Sequence, residues 1–336
     1  MHMANELLSV PVATGAMAVA GTGLGWICKK VRQELTSEKV ALMGVLGAFV
    51  FAAQMVNFQL PMMPGTSGHL IGAVFLAVML VGPHLAAVVL SSVVIIQCLL
   101  FQDGGLLAIG CNIVNIAIVP SYVGYFVYRT IVSERKNKVR LFIAAIVACV
   151  FAAEAGSALV VVEAIISKVL LVPVGTFLAT MAGVHLLVGV MEGLITVAIL
   201  SYLTAVRPDL IEGMTGEGMF SRKTAILSLV VITVITAAGF SLLASSKPDG
   251  LEWSYLERPE QPDFKPLIAN DDPRIKSADE LHSKIALMPD YTTRGASEEH
   301  PVSAGWTSLA GIVGSMVCMG LIWLSAKLLG PTKTAA

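Results

Sequence analysis

Long runs of apolar residues, separated by short polar loops, dominate the pattern along the chain. A helix needs about 20 apolar residues to cross a bilayer. The longest run, from His69 to Phe101, would form one helix of about 50 Å, which is too long for a bilayer. It contains Gly82-Pro83-His84, and Gly-Pro commonly breaks a helix. A break there predicts about nine spans, at approximately residues 9–28, 40–60, 69–82, 83–101, 106–127, 141–162, 176–203, 225–243 and 305–328.

The composition agrees with a membrane protein. Of the 336 residues, 56% are hydrophobic and 13% are charged, whereas soluble domains carry about 25% charged residues. The predicted fold class is therefore an all-α polytopic membrane protein in a lipid bilayer. The net charge of −1 excludes a basic surface for nucleic acid. The cysteines lie in or beside apolar runs without C-x-x-C pairing, as small packing residues do; they are Cys28, Cys98, Cys111, Cys149 and Cys318.

Basic residues are distributed unevenly between the loops. Fourteen of the 22 Lys and Arg residues fall on one side of the nine-span arrangement, and the short loops opposite contain only Lys168. Because cytoplasmic loops are enriched in Lys and Arg, we expect the C-terminus in the cytoplasm, and the N-terminus and the loops of residues 61–68 and 101–105 outside. The fourteen are Lys29, Lys30, Arg32, Lys39, Arg129, Arg135, Lys136, Lys138, Arg140, Arg207, Arg222, Lys223, Lys327 and Lys333.

The stretch from about Ala244 to Ala304 differs from the rest of the chain. It holds 12 of the 23 acidic residues and 7 of the 15 prolines. We expect an extracytoplasmic domain of about 60 residues between the last two spans, since long loops cross a membrane largely regardless of charge. Ser277–Ala286 is predicted as a short helix. His282 and His300 are too far apart for a local chelate and are predicted to be surface residues.

The first two residues, Met1 and His2, form a candidate metal chelate. A free α-amine, the amide nitrogen of residue 2 and the His2 imidazole offer three nitrogens in one plane. Square-planar nitrogen coordination suits Ni²⁺ or Cu²⁺, and low-spin Co²⁺ tolerates it, whereas Mg²⁺ and Ca²⁺ prefer oxygen ligands. This hypothesis requires that Met1 stays at the N-terminus. The positive cluster Lys29-Lys30 follows the first apolar stretch, which is not the order of a cleaved signal peptide.

His69, in the segment Pro64-Gly65-Thr66-Ser67-Gly68-His69, is the candidate for a fourth nitrogen. The helix from His69 to the Gly82-Pro83 break would be about 21 Å long, which is short for a hydrocarbon core of about 30 Å. Its N-terminus is therefore predicted to begin below the outer surface. An ordinary loop at the interface is the alternative.

Polar side chains around this loop are candidates for fixing the tautomers of the ligand histidines. They are Gln54, Asn57, Ser67, Asn112 and Asn115. Hydrogen bonds between helices without a functional role explain them equally well.

Three ionisable residues within predicted spans are functional candidates by type. His185 and Glu192 are seven residues apart on one helix face, and Glu154 on another span is a possible partner for His185. A polar lock between helices and a role in ion passage both remain open.

No G-x-x-x-x-G-K-[ST] phosphate loop and no H-E-x-x-H motif occurs. The chain is therefore predicted not to be an enzyme. Three hypotheses follow: a metal-binding transporter subunit with separate energy supply, a gradient-driven secondary transporter, or, against the motif evidence, an intramembrane metalloprotease.

Four motifs carry a resemblance to a known family: MHM at residues 1–3, GTSGHL at 65–70, DGGLLA at 103–108 and HLLVG at 185–189. With them, residues 1–220 resemble the substrate-binding membrane component of energy-coupling factor transporters for nickel or cobalt. The KPDGLE motif at residues 247–252 resembles their small auxiliary membrane subunit, which has two spans around an external loop. Residues 221–336 would be that subunit, fused.

This resemblance implies a function and a metal site. Ni²⁺ or Co²⁺ would be the transported substrate, bound with high affinity by the Met1 amine, the amide and imidazole of His2, and His69, with no catalytic cofactor. ATP would be hydrolysed by two cytoplasmic ATPase subunits acting through a transmembrane coupling component, in the cytoplasmic (inner) cell membrane. The fused form and the style of the N-terminus favour nickel, and cobalt uptake for cobalamin synthesis is the alternative.

Overall fold

The computed structural model describes residues 1–63, 65–132, 137–207, 219, 221–294 and 304–330. Within these residues, eight helices are long and apolar enough to cross a bilayer. The chain is thus an all-α multi-pass membrane protein, as predicted. The eight are α1 (Val10–Glu34), α2 (Ser37–Gln54), α4 (Pro83–Phe101), the helix formed by α5 (Ile109–Asn112), a π-helical turn (Ile113–Ile118) and α6 (Val119–Val132), then α7 (Lys138–Ser167), α8 (Val174–Val206), α9 (Arg222–Ala238) and α12 (Ala304–Leu329).

The break at Gly82-Pro83 is confirmed, because α4 begins at Pro83. The predicted third span is not confirmed, and the described residues contain eight candidate spans where we predicted about nine. Its place is taken by α3 (Ala73–Met79), which has only seven residues. Left-handed φ values at Gly72 (81°) and Val81 (58°) bound this helix, because such values cannot continue an α-helix. Residues 69–72 stay outside any helix and carry His69.

The loop between α2 and α3 forms a small antiparallel pair of strands, β1 (Phe58–Gln59) and β2 (Ser67–Gly68). The second predicted span was to reach Leu60, but α2 ends at Gln54. The remaining residues turn back to pair with β2. The two strands hold the GTSGH segment beside the ends of the neighbouring helices.

The acidic stretch after α9 contains α10 (Gly250–Tyr255) and α11 (Pro273–Ile285), which confirms the helix predicted at Ser277–Ala286. It packs against the loop after α2 and the end of α4: Ser245 N donates to Asn57 O at 2.8 Å, and Met288 N to Leu100 O at 3.0 Å. The surface assignment of His282 is wrong. Its side chain is buried, and Nε2 lies 2.7 Å from Cys98 O.

The helix α12 lies along α2, so the C-terminal region is part of the same bundle. An added Cβ on Gly44 would meet Met319 Cγ at 3.3 Å, and Ser315 Oγ donates to Ala48 O at 3.3 Å. Small residues let helix backbones approach closely in a membrane. Arg135, Lys136, His300 and Lys333, which were part of the predictions above, lie outside the described residues.

Candidate metal centre

The first eight residues are packed inside the protein. Met3, Leu7 and Leu8 are fully buried, and Met3 is held at both backbone groups. Its N–H donates to Asn112 Oδ1 at 2.7 Å, and its carbonyl accepts from Asn112 Nδ2 at 3.1 Å and from Gly105 N at 2.8 Å. The Asn112 side chain thus bonds to both backbone groups of Met3, as a neighbouring strand would. This fixes the N-terminal segment two residues from its end.

Gly104 makes room for this segment. Its φ is +87°, and a Cβ there would meet Asn112 Nδ2 at 2.7 Å and His2 Cβ at 3.2 Å. Only glycine combines this backbone conformation with so close an approach. The DGG motif after α4 is therefore the wall against which His2 packs.

Met1, His2 and His69 converge at one end of the bundle. The Met1 amine lies 3.0 Å from His69 Nε2. The rings of His2 and His69 are stacked, with centroids 5.4 Å apart and planes inclined by 19°. Met1 and His69 are buried, at 5% and 8% exposure. Residues separated by 68 positions thus present their nitrogens in one place.

This spacing fits a square of nitrogen ligands. Nitrogen ligands lie about 2.0 Å from a first-row metal ion, so adjacent corners of a square are about 2.8 Å apart. The 3.0 Å between Met1 N and His69 Nε2 is close to that value. His69 Nδ1 lies 3.0 Å from Leu70 O, so Nδ1 carries the hydrogen and the lone pair of Nε2 faces the amine.

Two aspartates hold the nitrogens of the first two residues. The Met1 amine forms an ion pair with Asp249 Oδ2, and His2 Nδ1 lies 3.1 Å from Asp103 Oδ1. In the predicted chelate, the amide nitrogen and Nδ1 of His2 close a six-membered ring on the metal. Metal binding by the predicted set therefore requires the amine to leave Asp249 and Nδ1 to leave Asp103. The arrangement brings the ligands together but does not close the chelate.

Burial and the neighbouring Met1 amine both lower the pKa of the two imidazoles. Burial, the neighbouring Met1 amine and His2 together lower the pKa of His69 to about 3, and burial is the largest cause. Burial also lowers the pKa of His2, although Asp103 opposes this effect. Burial alone would raise the pKa of Asp249, but the Met1 amine and His69 outweigh it and hold this pKa well below its usual range. Neutral imidazole is the form that binds a metal.

Behind His2 lies a row of buried amides. His2 Nε2 lies 3.1 Å from Gln97 Oε1, Gln97 Nε2 donates to Gln54 Oε1 at 2.8 Å, and Gln54 Nε2 donates to Ile71 O at 2.7 Å. Gln54 was predicted to support a ligand histidine, and it reaches His2 through Gln97.

The other four predicted supporting residues make different contacts. Asn112 clamps Met3, and Asn115 Nδ2 contacts Met3 Sδ at 3.6 Å and Glu163 Oε2 at 2.6 Å. Ser67 Oγ donates to Lys247 O at 2.8 Å, and Asn57 lines a cavity beside the site. Within the described part of the chain, none of these four side chains makes a hydrogen bond to the ring of His2 or His69.

Four residues of the site were not among the predicted site residues: Gln97, Asp103, Asp249 and Tyr291. Tyr291 donates to Asp103 Oδ2 at 2.6 Å, so the acidic stretch reaches His2 indirectly and Met1 directly. Asp103 and Asp249 lie in the DGGLLA and KPDGLE motifs, and Gln97 is a polar residue in an otherwise apolar helix. These were the available signals, but no sequence spacing connects them to Met1.

The predicted pairing of His185 with Glu154 is not present, although the structure describes both residues. His185 Nδ1 lies 2.8 Å from Met181 O in its own helix. Glu192 accepts from Ile71 N at 3.0 Å and from Gly72 N at 2.9 Å. Two buried ionisable residues of α8 thus serve separate purposes, and only Glu192 contacts the segment that carries His69.

A cavity of about 390 Å³ opens beside the site. His2 and His69 line it, and so do five carboxylates, which favour entry of a cation. These are Asp103, Asp249, Glu252, Asp279 and Asp290. In the described ranges no group of three or more His, Cys, Asp or Glu side chains is arranged as a metal site. A site here depends on backbone nitrogens as well as on the two histidines.

Comparison with known proteins identifies related chains. Residues 2–210 match the model of a family described as "Cobalt uptake substrate-specific transmembrane region", and residues 223–330 match the PDGLE domain. A protein of Archaeoglobus fulgidus described as a fused nickel transport protein is 33% identical over 96% of this chain and 96% of its own. A cobalt transport protein of Geobacter sulfurreducens is 28% identical over 77% of each chain.

A solved structure, described as a truncated transition metal transporter, is similar over 60% of this chain and 98% of its own. Its sequence identity is 29% and its TM-score is 0.49.

Proposed function

Because this chain belongs to the family of cobalt-uptake substrate-specific transmembrane regions, whose members are metal transport proteins and not enzymes, we propose that it binds a divalent transition metal ion for uptake at the site of Met1, His2 and His69. Gln54, Asn57, Ser67, Asn112 and Asn115 surround the ligands in this proposal. The metal is the transported substrate. Residues 1–220 form the metal-binding component and residues 221–336 an auxiliary region.

One observation carries the proposal. The Met1 amine is buried with His69 Nε2 at 3.0 Å and the His2 ring stacked on that of His69. Burying an amine and two imidazoles together is costly unless they have a ligand or a charge partner, and nitrogen ligands in this number suit Ni²⁺, Cu²⁺ or Co²⁺. The acidic cavity beside them supports a cationic substrate.

Nickel is the proposed substrate, with cobalt as the alternative. Four nitrogens in a square suit Ni²⁺, and a relative matched over 96% of this chain carries a nickel transport name. The relative described as a cobalt transport protein supports the alternative. Competition between the two ions at equal concentration on the purified protein decides between them.

Uptake is proposed to be driven by ATP, through a coupling membrane component and two cytoplasmic ATPase subunits in the cytoplasmic membrane. The absence of a phosphate loop from the sequence supports a separate ATPase. The alternative is a gradient-driven transporter. Deleting the ATPase partners should abolish nickel uptake, and uptake that survives this deletion but stops with an uncoupler supports the alternative.

The site is tested by moving the amine without changing any side chain. In the proposed site, the Met1 amine and the His2 amide nitrogen close a five-membered ring on the metal. One extra residue before Met1 turns this amine into an amide and breaks the ring, so nickel should be lost. Metal analysis compares this protein with one extended by the same residue after Ala336. The proposal requires a mature chain that begins at Met1, which intact mass measurement checks. Equal nickel occupancy in the two proteins would exclude the amine as a ligand.

A further inference from the structure

Glu192 is a buried carboxylate whose partners lie outside its own helix. It sits within α8, is 1% exposed, and accepts hydrogen bonds on both oxygens, from Ile71 N at 3.0 Å and Gly72 N at 2.9 Å. A carboxylate within a membrane-spanning helix is costly and generally has a specific partner. Here the partner is the backbone just after His69.

That backbone has little freedom to adopt another conformation. Gly72 has φ +81°, and a Cβ there would meet Val50 Cγ1 at 2.7 Å. The next residue begins α3, while His69 Nδ1 is bonded to the carbonyl of Leu70. The two bonds to Glu192 therefore fix the turn that sets where the His69 ring points.

The same carboxylate also reaches His2 through a directional chain of hydrogen bonds. In the tautomer that binds a metal through Nδ1, His2 Nε2 donates to Gln97 Oε1, and Gln97 donates to Gln54. Gln54 donates to the carbonyl of Ile71, and the N–H of the same peptide group, that of Gly72, donates to Glu192. Every donor points toward the carboxylate, and hydrogen bonds aligned in this way polarise and strengthen one another. Once Nδ1 leaves Asp103 for a metal, the hydrogen of the neutral His2 ring must lie on Nε2, where Gln97 Oε1 accepts it.

We propose that Glu192 is a positioning residue that orients both ligand imidazoles, His69 through the backbone of residues 71–72 and His2 through Gln54 and Gln97. This inference rests on the proposed metal site. Glu192 does not touch the metal. Because it supports both imidazoles, a substitution of this α8 residue alters how both rings are oriented around the bound ion.

The test is Glu192→Gln in the full chain with its native N-terminus. The amide keeps the size of the side chain but turns one acceptor into a donor that faces a backbone N–H. His185→Gln is the matched control, because His185 is equally buried on the same helix and bonds within it. His69→Ala is the reference for a lost nitrogen ligand. Nickel affinity, the ligand-field absorption band of bound nickel and the melting temperature are measured for each.

Glu192→Gln should bind nickel about 10- to 100-fold more weakly, as loss of support behind a ligand does. Its absorption band should move to longer wavelength, toward that of His69→Ala, because a misaligned imidazole gives a weaker ligand field. His185→Gln should keep the wild-type affinity and band. A merely structural role would lower the melting temperature and leave the band in place.

Wild-type affinity and band in Glu192→Gln would overturn the inference, whatever its melting temperature. If that variant does not fold, Gln54→Leu is the test. Gln54 touches neither imidazole, but its loss interrupts the chain of hydrogen bonds between Glu192 and His2 and should also shift the absorption band. An unshifted band in Gln54→Leu overturns the inference. Failure of the metal site itself is distinguishable, because wild-type and His69→Ala proteins would then bind nickel equally.

Discussion

The Met1 amine has two neighbours of opposite character, the neutral ring nitrogen of His69 and the carboxylate of Asp249. The carboxylate compensates the charge of the buried ammonium, as a buried charge requires. The imidazole offers the lone pair that a metal would use. His2 repeats this arrangement between Gln97 and Asp103. The Met1 amine and the His2 imidazole are thus each held by a carboxylate. A carboxylate has no nitrogen and so cannot take the place of either group in a square of nitrogen ligands.

At this scale, His2→Ala and His69→Ala are each expected to weaken nickel binding by at least about 100-fold, because each removes one ligand that the remaining nitrogens cannot replace. His84→Ala is the control. His84 Nδ1 pairs with Glu34 Oε1 at 3.0 Å, at the other ends of α1 and α4. Titration calorimetry of the three variants checks this, and nickel affinity that falls only in His84→Ala would place the site elsewhere.

Among the elements, the GTSGH segment has two separate uses. His69 faces the site, whereas Thr66 and Ser67 bind the segment that precedes α10. Ser67 N donates to Pro248 O at 2.8 Å, and Ser67 and Thr66 hydroxyls donate to the carbonyls of Lys247 and Pro248. This docking delivers Asp249, which caps α10 through Oδ1 and holds the Met1 amine through Oδ2. The segment of residues 247–249 therefore reaches the proposed site through a strand-like contact with Ser67.

Ser67→Ala should loosen this docking and leave the proposed ligands intact. The carbonyl of Lys247 loses its hydroxyl partner, which costs about 1 kcal/mol, so local opening should become about fivefold more frequent. Hydrogen exchange at the amide of Trp253 in α10 and at that of Leu256, just after α10, measures this opening. Ser92→Ala is the control, because Ser92 Oγ bonds to Val88 O in its own helix. Equal protection of α10 in the two variants would contradict the docking.

For the whole molecule, the site, the GTSGH loop, the DGG loop and the acidic stretch all lie at one end of the bundle, as their mutual contacts require. Those of the fourteen basic residues that the structure describes lie at or near the other ends of the spans, in the loops that the sequence predicts to be cytoplasmic. Replacing the short third span by α3 leaves this assignment unchanged, because α3 and α4 return the chain to the side it came from. The orientation itself stays a prediction.

Labelling of single cysteines in a cysteine-free background tests the predicted membrane orientation. Glu257→Cys should react with a membrane-impermeant maleimide in intact cells, because residues 244–304 are predicted to be outside. Lys138→Cys should react only after permeabilisation. Both positions are accessible enough for the reagent to reach them in the protein itself. Labelling of both in intact cells would refute the orientation.

The sequence by itself determined the membrane class, the placement of the long helices and the break at Gly82-Pro83. Hydrophobic length and Gly-Pro chemistry act locally, and lipid leaves few alternatives to a helix. It also singled out Met1, His2 and His69, because a chelate of adjacent nitrogens is a property of covalent connectivity. The structure brings these three together, and their role as ligands remains a proposal.

Only the tertiary structure decided what surrounds them. Asp103, Asp249 and Gln97 come from three distant parts of the chain, and no periodicity links Asp249 to Met1 across 248 positions. The shortening of α3, the burial of His282 and the separate partners of His185 and Glu192 likewise follow from how helices and loops meet. A buried polar group takes the partner that folding brings within reach, and sequence spacing records only partners on the same element.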